Sequence, residues 1–148
     1  MKKNIYKIAL RYSLKLSNFL YKLISFLAIK YEGGIHPKHR LLGYHDFFIN
    51  NIRNGDTVLD IGCGNGALSF DIAKKAKEVT GIDIEEKNIR EAKKKHSLTN
   101  LTYIVGDATK DLGEKKFDVI TLSNVLEHIE YRVDFLKSIK GLASTYLI

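Results

Sequence analysis

The stretch from Val58 to Gly66 constrains the fold more than any other part of the chain. An apolar run typical of a strand ends near Asp60, and glycines follow at alternate positions, Gly62, Gly64 and Gly66. Glycines at these positions allow a tight turn and let ligand atoms approach the backbone. A strand that leads through such a turn into a helix predicts a nucleotide-like ligand at one end of a sheet.

Apolar segments of strand length alternate with helical segments through most of the chain. The strand candidates are 57–61, 78–82, 101–105 and 117–122, and a fifth opens near Ser144. The helical patterns lie near 38–51, 66–76, 85–95 and 130–141. This alternation predicts an α/β fold with a doubly wound, mostly parallel sheet, preceded by N-terminal helices. Because the sequence ends as the fifth strand opens, we expect a sheet that lacks its C-terminal strands.

The positive charge is confined to one end of the chain. The 148 residues carry a net charge of +7, and residues 1–40 alone hold nine Lys or Arg against one acid. The remaining residues are close to neutral, at −1. A basic surface spread over the globular part would indicate nucleic-acid binding, and the charge distribution does not support one. We therefore expect no nucleic acid among the partners.

Residues 1–34 are predicted to form a separate basic amphipathic helix. Within it, polar residues recur at steps of three or four, which places them on one helical stripe about 80° wide. The stripe consists of Asn4, Lys7, Arg11, Lys15, Asn18, Lys22 and Ser25. The repeated charges argue against a membrane span and against a cleavable signal peptide. Two fates stay open for residues 5–29: contact with an anionic membrane surface, or packing on the chain's own domain or on a second copy.

Cysteine and histidine usage predicts neither a disulfide nor a metal site. Cys63 is the only cysteine, which excludes an intrachain disulfide and suits a reducing cytoplasm. His36, His39 and His45 are close in sequence but lack cysteine or carboxylate partners at a zinc spacing. We assign no metal and expect a cytoplasmic protein, with membrane association left open through its N-terminal helix.

Three acids lie at the ends of three of the strand candidates. Asp60 precedes the first glycine by two residues, Asp83 ends the second strand and Asp107 follows the third. An acid at the first position suits a cofactor whose nearby end is cationic. Asp83 suits the vicinal hydroxyls of a ribose, and Asp107 suits the exocyclic amine of adenine. For a single acid such as Asp60 or Asp83, helix capping is the alternative.

Four ordered motifs resemble those of the class I S-adenosylmethionine-dependent methyltransferases. They span 58–66, 81–84, 106–108 and 117–129, so the predicted methyltransferase domain covers 35–148 and is short at its C-terminus. The pattern Gly62-x-Gly64-x-x-Ala67 also satisfies a loose dinucleotide fingerprint, but the acids and the order of the motifs favour the methyltransferases.

The resemblance implies a role for each motif residue. Asp60 and the glycine loop would hold the methionine portion of S-adenosylmethionine, Asp83 the ribose, and Asp107 with the Ala108 backbone the adenine. Ser123 and Asn124 would line the reaction end. The cofactor-binding residues implied in this way are Asp60, Gly62, Cys63, Gly64, Gly66, Asp83, Ile84, Asp107, Ala108, Ser123 and Asn124.

The catalytic candidate is His128, which follows the fourth strand. Methyl transfer from a sulfonium needs alignment of the acceptor more than it needs elaborate chemistry, but an oxygen acceptor can require a base. Histidine accepts a proton near neutral pH. The alternative is that the pair Glu127–His128 is only a helix-start feature of the fold.

Three functions stay open on the sequence alone. The first is a methyltransferase acting on a small-molecule or membrane-linked acceptor. The second is a non-catalytic or truncated relative that binds the cofactor without turnover, and the third is an NAD-dependent oxidoreductase.

Overall fold

The structure is a computed structural model that describes residues 2–31 and 43–148. The chain divides into two compact units, Met1–Tyr44 and His45–Ile148. The boundary predicted between residues 34 and 35, and the start of the helix predicted at 38–51, lie outside the described residues.

The first unit contains α1 (Lys2–Tyr31), which has Lys30 in its last turn and no acid anywhere. It confirms the predicted N-terminal helix. None of the helices in residues 2–31 and 43–148 is both long and apolar enough to cross a membrane.

The second unit is built on strands that alternate with helices, as predicted. The strands are β1 (Thr57–Ile61), β2 (Glu78–Asp83), β3 (Leu101–Val105), β4 (Phe117–Leu122) and β5 (Ala143–Leu147). The helices are α2 (Tyr44–Asn50), which begins at the division between the units, α3 (Ala67–Ala73), α4 (Glu86–Lys95) and α5 (Arg132–Ile139), with a 3-10 turn at Leu126–His128. The predicted strands match these bounds to within one residue.

The described strands form a parallel sheet in the order β3-β2-β1-β4-β5. The chain winds outward from β1 to β3, then crosses back to place β4 on the other side of β1. The strand order therefore reverses beside β1, which is the position where open α/β sheets bind ligands, at the carboxyl ends of the strands.

The two faces of the sheet have different neighbours. Leu59, Ile61, Ile120 and Leu122 pack in one core with Phe135 of α5. Because side chains alternate along a strand, Asp60 points to the opposite face, where its Ser69 partner lies on α3. The strand register places Tyr103, Gly81, Asp60 and Thr121 in one row across this face.

The helices are shorter than the predicted ranges, for identifiable reasons. Gly66 has φ +80°, a left-handed conformation, so α3 begins after it rather than at residue 66. Helix α5 stops at Ile139 because Lys140 is extended and Gly141 has φ +89°. The Tyr146 hydroxyl stabilises this end by donating to the Ile139 carbonyl at 2.8 Å and accepting from the Gly141 amide at 3.0 Å.

Candidate functional site

A cleft of about 820 Å³ lies at the carboxyl ends of β1 to β4. Seven of the predicted site residues line it: Gly62, Asp83, Ile84, Asp107, Ala108, Asn124 and His128. The other five, Asp60, Cys63, Gly64, Gly66 and Ser123, are not on its wall. The sheet therefore brings motifs from four strands to one cavity, as the positions of the strand ends predicted.

The backbone amides of the glycine loop between β1 and α3 bond the loop to β2. The Gly62 and Cys63 amides donate to the Ile82 carbonyl at 2.8 and 3.0 Å, and the Gly64 amide donates to the Asp83 carboxylate at 2.9 Å. Gly62 has φ +69°, and a Cβ there would lie 2.4 Å from a methyl carbon of Val125. Glycine is required at this position by both its conformation and the close approach of the neighbouring segment.

Asp60 lies beneath the loop, with its side chain only 1% exposed. Its two carboxylate oxygens accept hydrogen bonds from the Ser69 hydroxyl at 2.5 Å and the Thr121 hydroxyl at 2.7 Å. Burial raises the pKa of this carboxyl, against the opposing effect of the two hydroxyl donors. Asp60 thus joins β1, β4 and α3, and its predicted contact with the methionine portion of the cofactor stays a prediction.

Cys63 turns its side chain away from solvent into a small core. The residue is 8% exposed and packs with Ile89, Ala92 and Tyr103. Burial raises the pKa of the thiol further above its usual range, so the reactive thiolate is disfavoured. Any contribution of Cys63 to a ligand would come from its backbone.

Asp83 combines a place on the cleft wall with a role in holding the loop. One carboxylate oxygen accepts from the Gly64 amide, and the other accepts from the Glu85 amide at 2.8 Å and the Asn88 side chain at 3.2 Å. A carboxylate offers about four acceptor positions, so it retains capacity for a ligand hydroxyl. The predicted hydroxyl-binding acid is therefore at the correct edge of the sheet and is fixed in orientation.

Asp107 and Ala108 form a turn after β3. The Asp107 carboxylate accepts from the Thr109 amide at 2.9 Å, the Thr109 hydroxyl at 2.6 Å and the Lys110 ammonium at 2.7 Å. These donors, with Lys110 first, lower the pKa of Asp107 to about 2. The Ala108 amide has no acceptor among the described residues, so this N–H is available to a ligand at the cleft wall.

The segment after β4 carries the predicted reaction end. Asn124 has φ +56°, which asparagine tolerates better than most residues, and it lines the cleft. Its side chain donates to the Ser123 hydroxyl at 3.3 Å. His128 ends the 3-10 turn, also lines the cleft and is exposed. The cleft side chains here are therefore open to an incoming molecule.

Several residues on and behind the cleft wall were not predicted from the sequence. Those on the wall include Asn88, Val125, Ile129, Glu130, Tyr131, Asp134, Phe135 and Ser138. Asn88 was identifiable in principle, since it lies in the first turn of α4, five residues after Asp83. The contacts of Asp60 with Ser69 and Thr121, and of the Tyr103 hydroxyl with the Gly66 carbonyl, depend on tertiary packing, for which the sequence alone has no signal.

The described residues contain no group of three or more His, Cys, Asp or Glu side chains placed to hold a metal ion.

The sequence matches a family model described as a methyltransferase domain over residues 52–145, which is more than half of the chain. That range runs from just before β1 into β5 and includes every predicted site residue.

Two curated relatives extend this match. The chain is 40% identical over 94 residues to the mitochondrial ubiquinone biosynthesis O-methyltransferase of Schizosaccharomyces pombe, covering 60% of this chain and 34% of that enzyme. It is 43% identical over 97 residues to N-methyltransferase 4 of Papaver somniferum, covering 61% of this chain and 27% of that enzyme. The match thus spans only about a quarter to a third of the length of these relatives.

The architecture also matches a solved methyltransferase. The magnesium protoporphyrin IX methyltransferase of Synechocystis, solved with bound S-adenosylmethionine, superimposes with a TM-score of 0.60 at 29% identity, covering 69% of this chain and 54% of that one. Sequence and fold agree with the family inferred from the four motifs. The chain belongs to the methyltransferase domain family.

Proposed function

We propose that the chain binds S-adenosylmethionine in the cleft and transfers its methyl group to a small-molecule or membrane-linked acceptor. The observation that carries this proposal is the convergence of Asp83, Ala108 and the glycine loop at the carboxyl edge of a methyltransferase-family sheet. The methyltransferases similar to this chain support the same reaction class.

The residues present fit this cofactor. Asp83 offers acceptor capacity for ribose hydroxyls, and the Ala108 amide offers a donor for a ring nitrogen of adenine. Ile82 and Ile84 add apolar surface to the cleft wall. The open space beside Gly64, where a Cβ would meet no atom within 4 Å, leaves the loop backbone accessible. S-adenosylmethionine, when bound, supplies an electrophilic methyl group on its sulfonium.

The protein's own part in the reaction is positioning and proton acceptance. Asn124 would border the acceptor, with Ser123 accepting a hydrogen bond from its side chain, and an imidazole nitrogen of His128 would hold the proton that leaves an acceptor hydroxyl or amine. Asp60 would act from below, by fixing β1 and β4 under the loop.

Calorimetry on the full chain tests cofactor choice. We expect S-adenosylmethionine and S-adenosylhomocysteine to bind and NAD not to bind. Binding of NAD with no binding of either sulfur compound would establish the oxidoreductase alternative and reject the proposal. If the sulfur compounds bind but no methyl product forms with any acceptor in a broad screen, the non-catalytic alternative is supported.

A matched pair of variants locates the site. Asp83→Asn removes a charge-assisted acceptor, so the Kd for S-adenosylhomocysteine should rise about 10-fold to 100-fold. Asp118→Asn makes the same change near the start of β4, at the amino ends of the strands and away from the cleft. There Asp118 accepts from the Thr57 amide at 2.8 Å. Equal effects of the two substitutions on Kd would place the site elsewhere.

We also propose a cytoplasmic location and separate roles for residues 1–34 and residues 35–148. In this arrangement residues 35–148 carry the methyltransferase site. Residues 5–29 provide a contact surface for a membrane or a second copy of the chain, and α1 supports this through its one-sided charge.

A further inference from the structure

Helix α1 concentrates cations without any compensating acid. Lys7, Arg11, Lys15, Lys22 and Lys30 lie within it, and residues 2–31 contain no Asp or Glu. Everything after residue 40 is close to electrical neutrality, at −1. The electrostatic attraction of this protein to an anionic partner is therefore a property of one helix, not of the methyltransferase unit.

Four of these cations, Lys7, Arg11, Lys15 and Lys22, lie on a narrow stripe along the helix, and Lys30 lies outside it. From Asn4 to Ser25 the polar stripe advances 21 residues in six steps, which keeps it on one side of the helix. Large apolar side chains cover most of the remaining circumference. Considered by itself, the helix leaves these side chains exposed, including Ile8, Leu16, Phe19, Ile24 and Phe26.

We propose that α1 lies in the surface of an anionic lipid bilayer, with its cationic stripe at the headgroups and its apolar side in the acyl boundary. Charge complementarity favours this occupant, because lipid phosphates supply the negative charge that the helix lacks. Long Lys and Arg side chains can reach the headgroups while their methylene stems stay with the apolar surface. Tyrosines at positions 6, 12, 21 and 31 suit the same boundary, since each ring is apolar and each hydroxyl is polar.

The same pattern is poorly suited to pairing with a second α1. A two-helix seam needs only a narrow apolar strip, whereas the apolar surface of α1 covers most of its circumference. A cation of one copy would also find no acid on the α1 of the other. A membrane satisfies both the wide apolar surface and the excess of cations.

Vesicle co-sedimentation of the full chain tests this proposal. We expect binding to vesicles with phosphatidylglycerol to exceed binding to pure phosphatidylcholine vesicles by on the order of a hundredfold at low salt. This difference should shrink as the ionic strength rises, because salt screens the attraction. Equal binding to both vesicle types, or no binding to either, would overturn the proposal.

Two charge-reversal variants separate a specific stripe from net charge. K7E/K15E/K22E should lower binding to the anionic vesicles on the order of a hundredfold or more. K77E/K87E/K140E changes the net charge equally at exposed positions outside α1 and should change binding by no more than a few fold. Equal losses in the two variants would show that net charge alone drives binding, and would reject the stripe.

Two further measurements separate membrane binding from misfolding and from self-association. Thermal unfolding reports whether each variant is folded without relying on cofactor binding. Sedimentation velocity without vesicles detects self-association, and a dimer abolished by L16S/L23S together with absent vesicle binding would identify a second copy as the occupant. The proposal does not depend on the methyltransferase function, since vesicle binding is measured without cofactor or acceptor.

Discussion

The loop after β1 and the segment after β4 border the same cleft but are held in place by different contacts. The Gly62–Gly66 loop is bonded to β2 through the Ile82 carbonyl and the Asp83 carboxylate, and to β3 through Tyr103. In the described structure, the hydrogen bonds of residues 123–129 join that segment only to itself. The first region is hydrogen-bonded to two neighbouring strands. The second is held by packing of Val125, Leu126 and Ile129 on the core, and it leaves the other side chains at 124, 127 and 128 exposed.

Because of this difference, we expect substitutions in the two regions to have different effects. A substitution in the glycine loop disturbs contacts with two neighbouring strands, so it should affect folding and cofactor affinity together. A substitution at an exposed cleft residue after β4, Asn124 or His128, should change folding little, so any effect on methyl transfer would be separate from stability.

The largest effect is expected at Gly66. A Cβ there would lie 2.4 Å from the Tyr103 hydroxyl and 2.8 Å from the Ala92 Cβ, at a residue with φ +80°. Steric overlap and left-handed strain together should make Gly66→Ala lower the free energy of unfolding by about 3 kcal/mol, measured by urea denaturation.

Gly64→Ala is the matched control for this substitution. Gly64 also has a positive φ, +54°, but a Cβ there would meet no atom within 4 Å. Only the conformational strain applies, so we expect a loss of about 1 kcal/mol. If the two substitutions destabilise equally, the loop is not held by Tyr103 packing and the contrast with the β4 segment fails.

The second prediction concerns the buried Asp60 carboxyl. Because burial raises its pKa in the folded protein, the native state retains a proton that the unfolded chain has released. This contribution to stability is therefore fully present below the unfolded pKa and is lost as the pH rises through the folded pKa. Asp60→Asn cannot titrate, so the wild type should lose stability relative to the variant as the pH rises from about 4 upward.

The slope of that loss has a thermodynamic limit. One retained proton changes the free energy of unfolding by at most about 1.4 kcal/mol per pH unit. Urea denaturation of both proteins at several pH values measures the difference. Parallel pH profiles would show that the hydroxyls of Ser69 and Thr121 compensate fully for the burial of Asp60.

Tyr103→Phe is expected to have a smaller effect. The Tyr103 hydroxyl donates to the Gly66 carbonyl at 3.1 Å, while its ring fills the space beside Gly66 and Gly81. The variant keeps the ring and loses one hydrogen bond, so we expect a loss of about 1 kcal/mol and a few-fold weaker binding of S-adenosylhomocysteine. Tyr6→Phe, at an exposed residue of α1 that does not line the cleft, should change neither quantity.

The strands of the sheet could be predicted from the sequence because the pattern that marks each strand is local. Each strand is a short apolar run bounded by turn residues, and the alternation with helices predicts parallel pairing, which the register of β1 with β2 and β4 confirms. Helix ends were less accurate because they depend on single conformations, such as the extended Lys140 before Gly141. The first helix could be predicted because its polar residues repeat at helical spacing over many turns.

The site was predicted at the level of position but not of contact. Strand ends placed Asp83, Asp107 and His128 at one cleft, as the structure shows. The burial of Asp60 was not predictable, because it depends on Ser69, nine residues away, and Thr121, 61 residues away. An acid before a glycine loop reads the same in sequence whether its carboxylate faces a ligand or lies beneath the loop.

The smallest effect on stability, and the test of the open segment, is expected at His128. The side chain is exposed and its backbone amide, which bonds to the Val125 carbonyl at 2.9 Å, is unchanged by substitution. His128→Ala should therefore alter the free energy of unfolding by less than about 0.5 kcal/mol. If His128 accepts the acceptor's proton, the rate of methyl transfer should fall about 100-fold to 10,000-fold, with the larger part in kcat.

Glu127→Ala removes the neighbouring exposed side chain, which does not line the cleft, and should leave both the free energy of unfolding and the rate of methyl transfer near wild type. A rate unchanged in His128→Ala would assign the histidine to the turn alone, whereas a loss of stability comparable to that of Gly66→Ala would show that the two regions are held equally firmly.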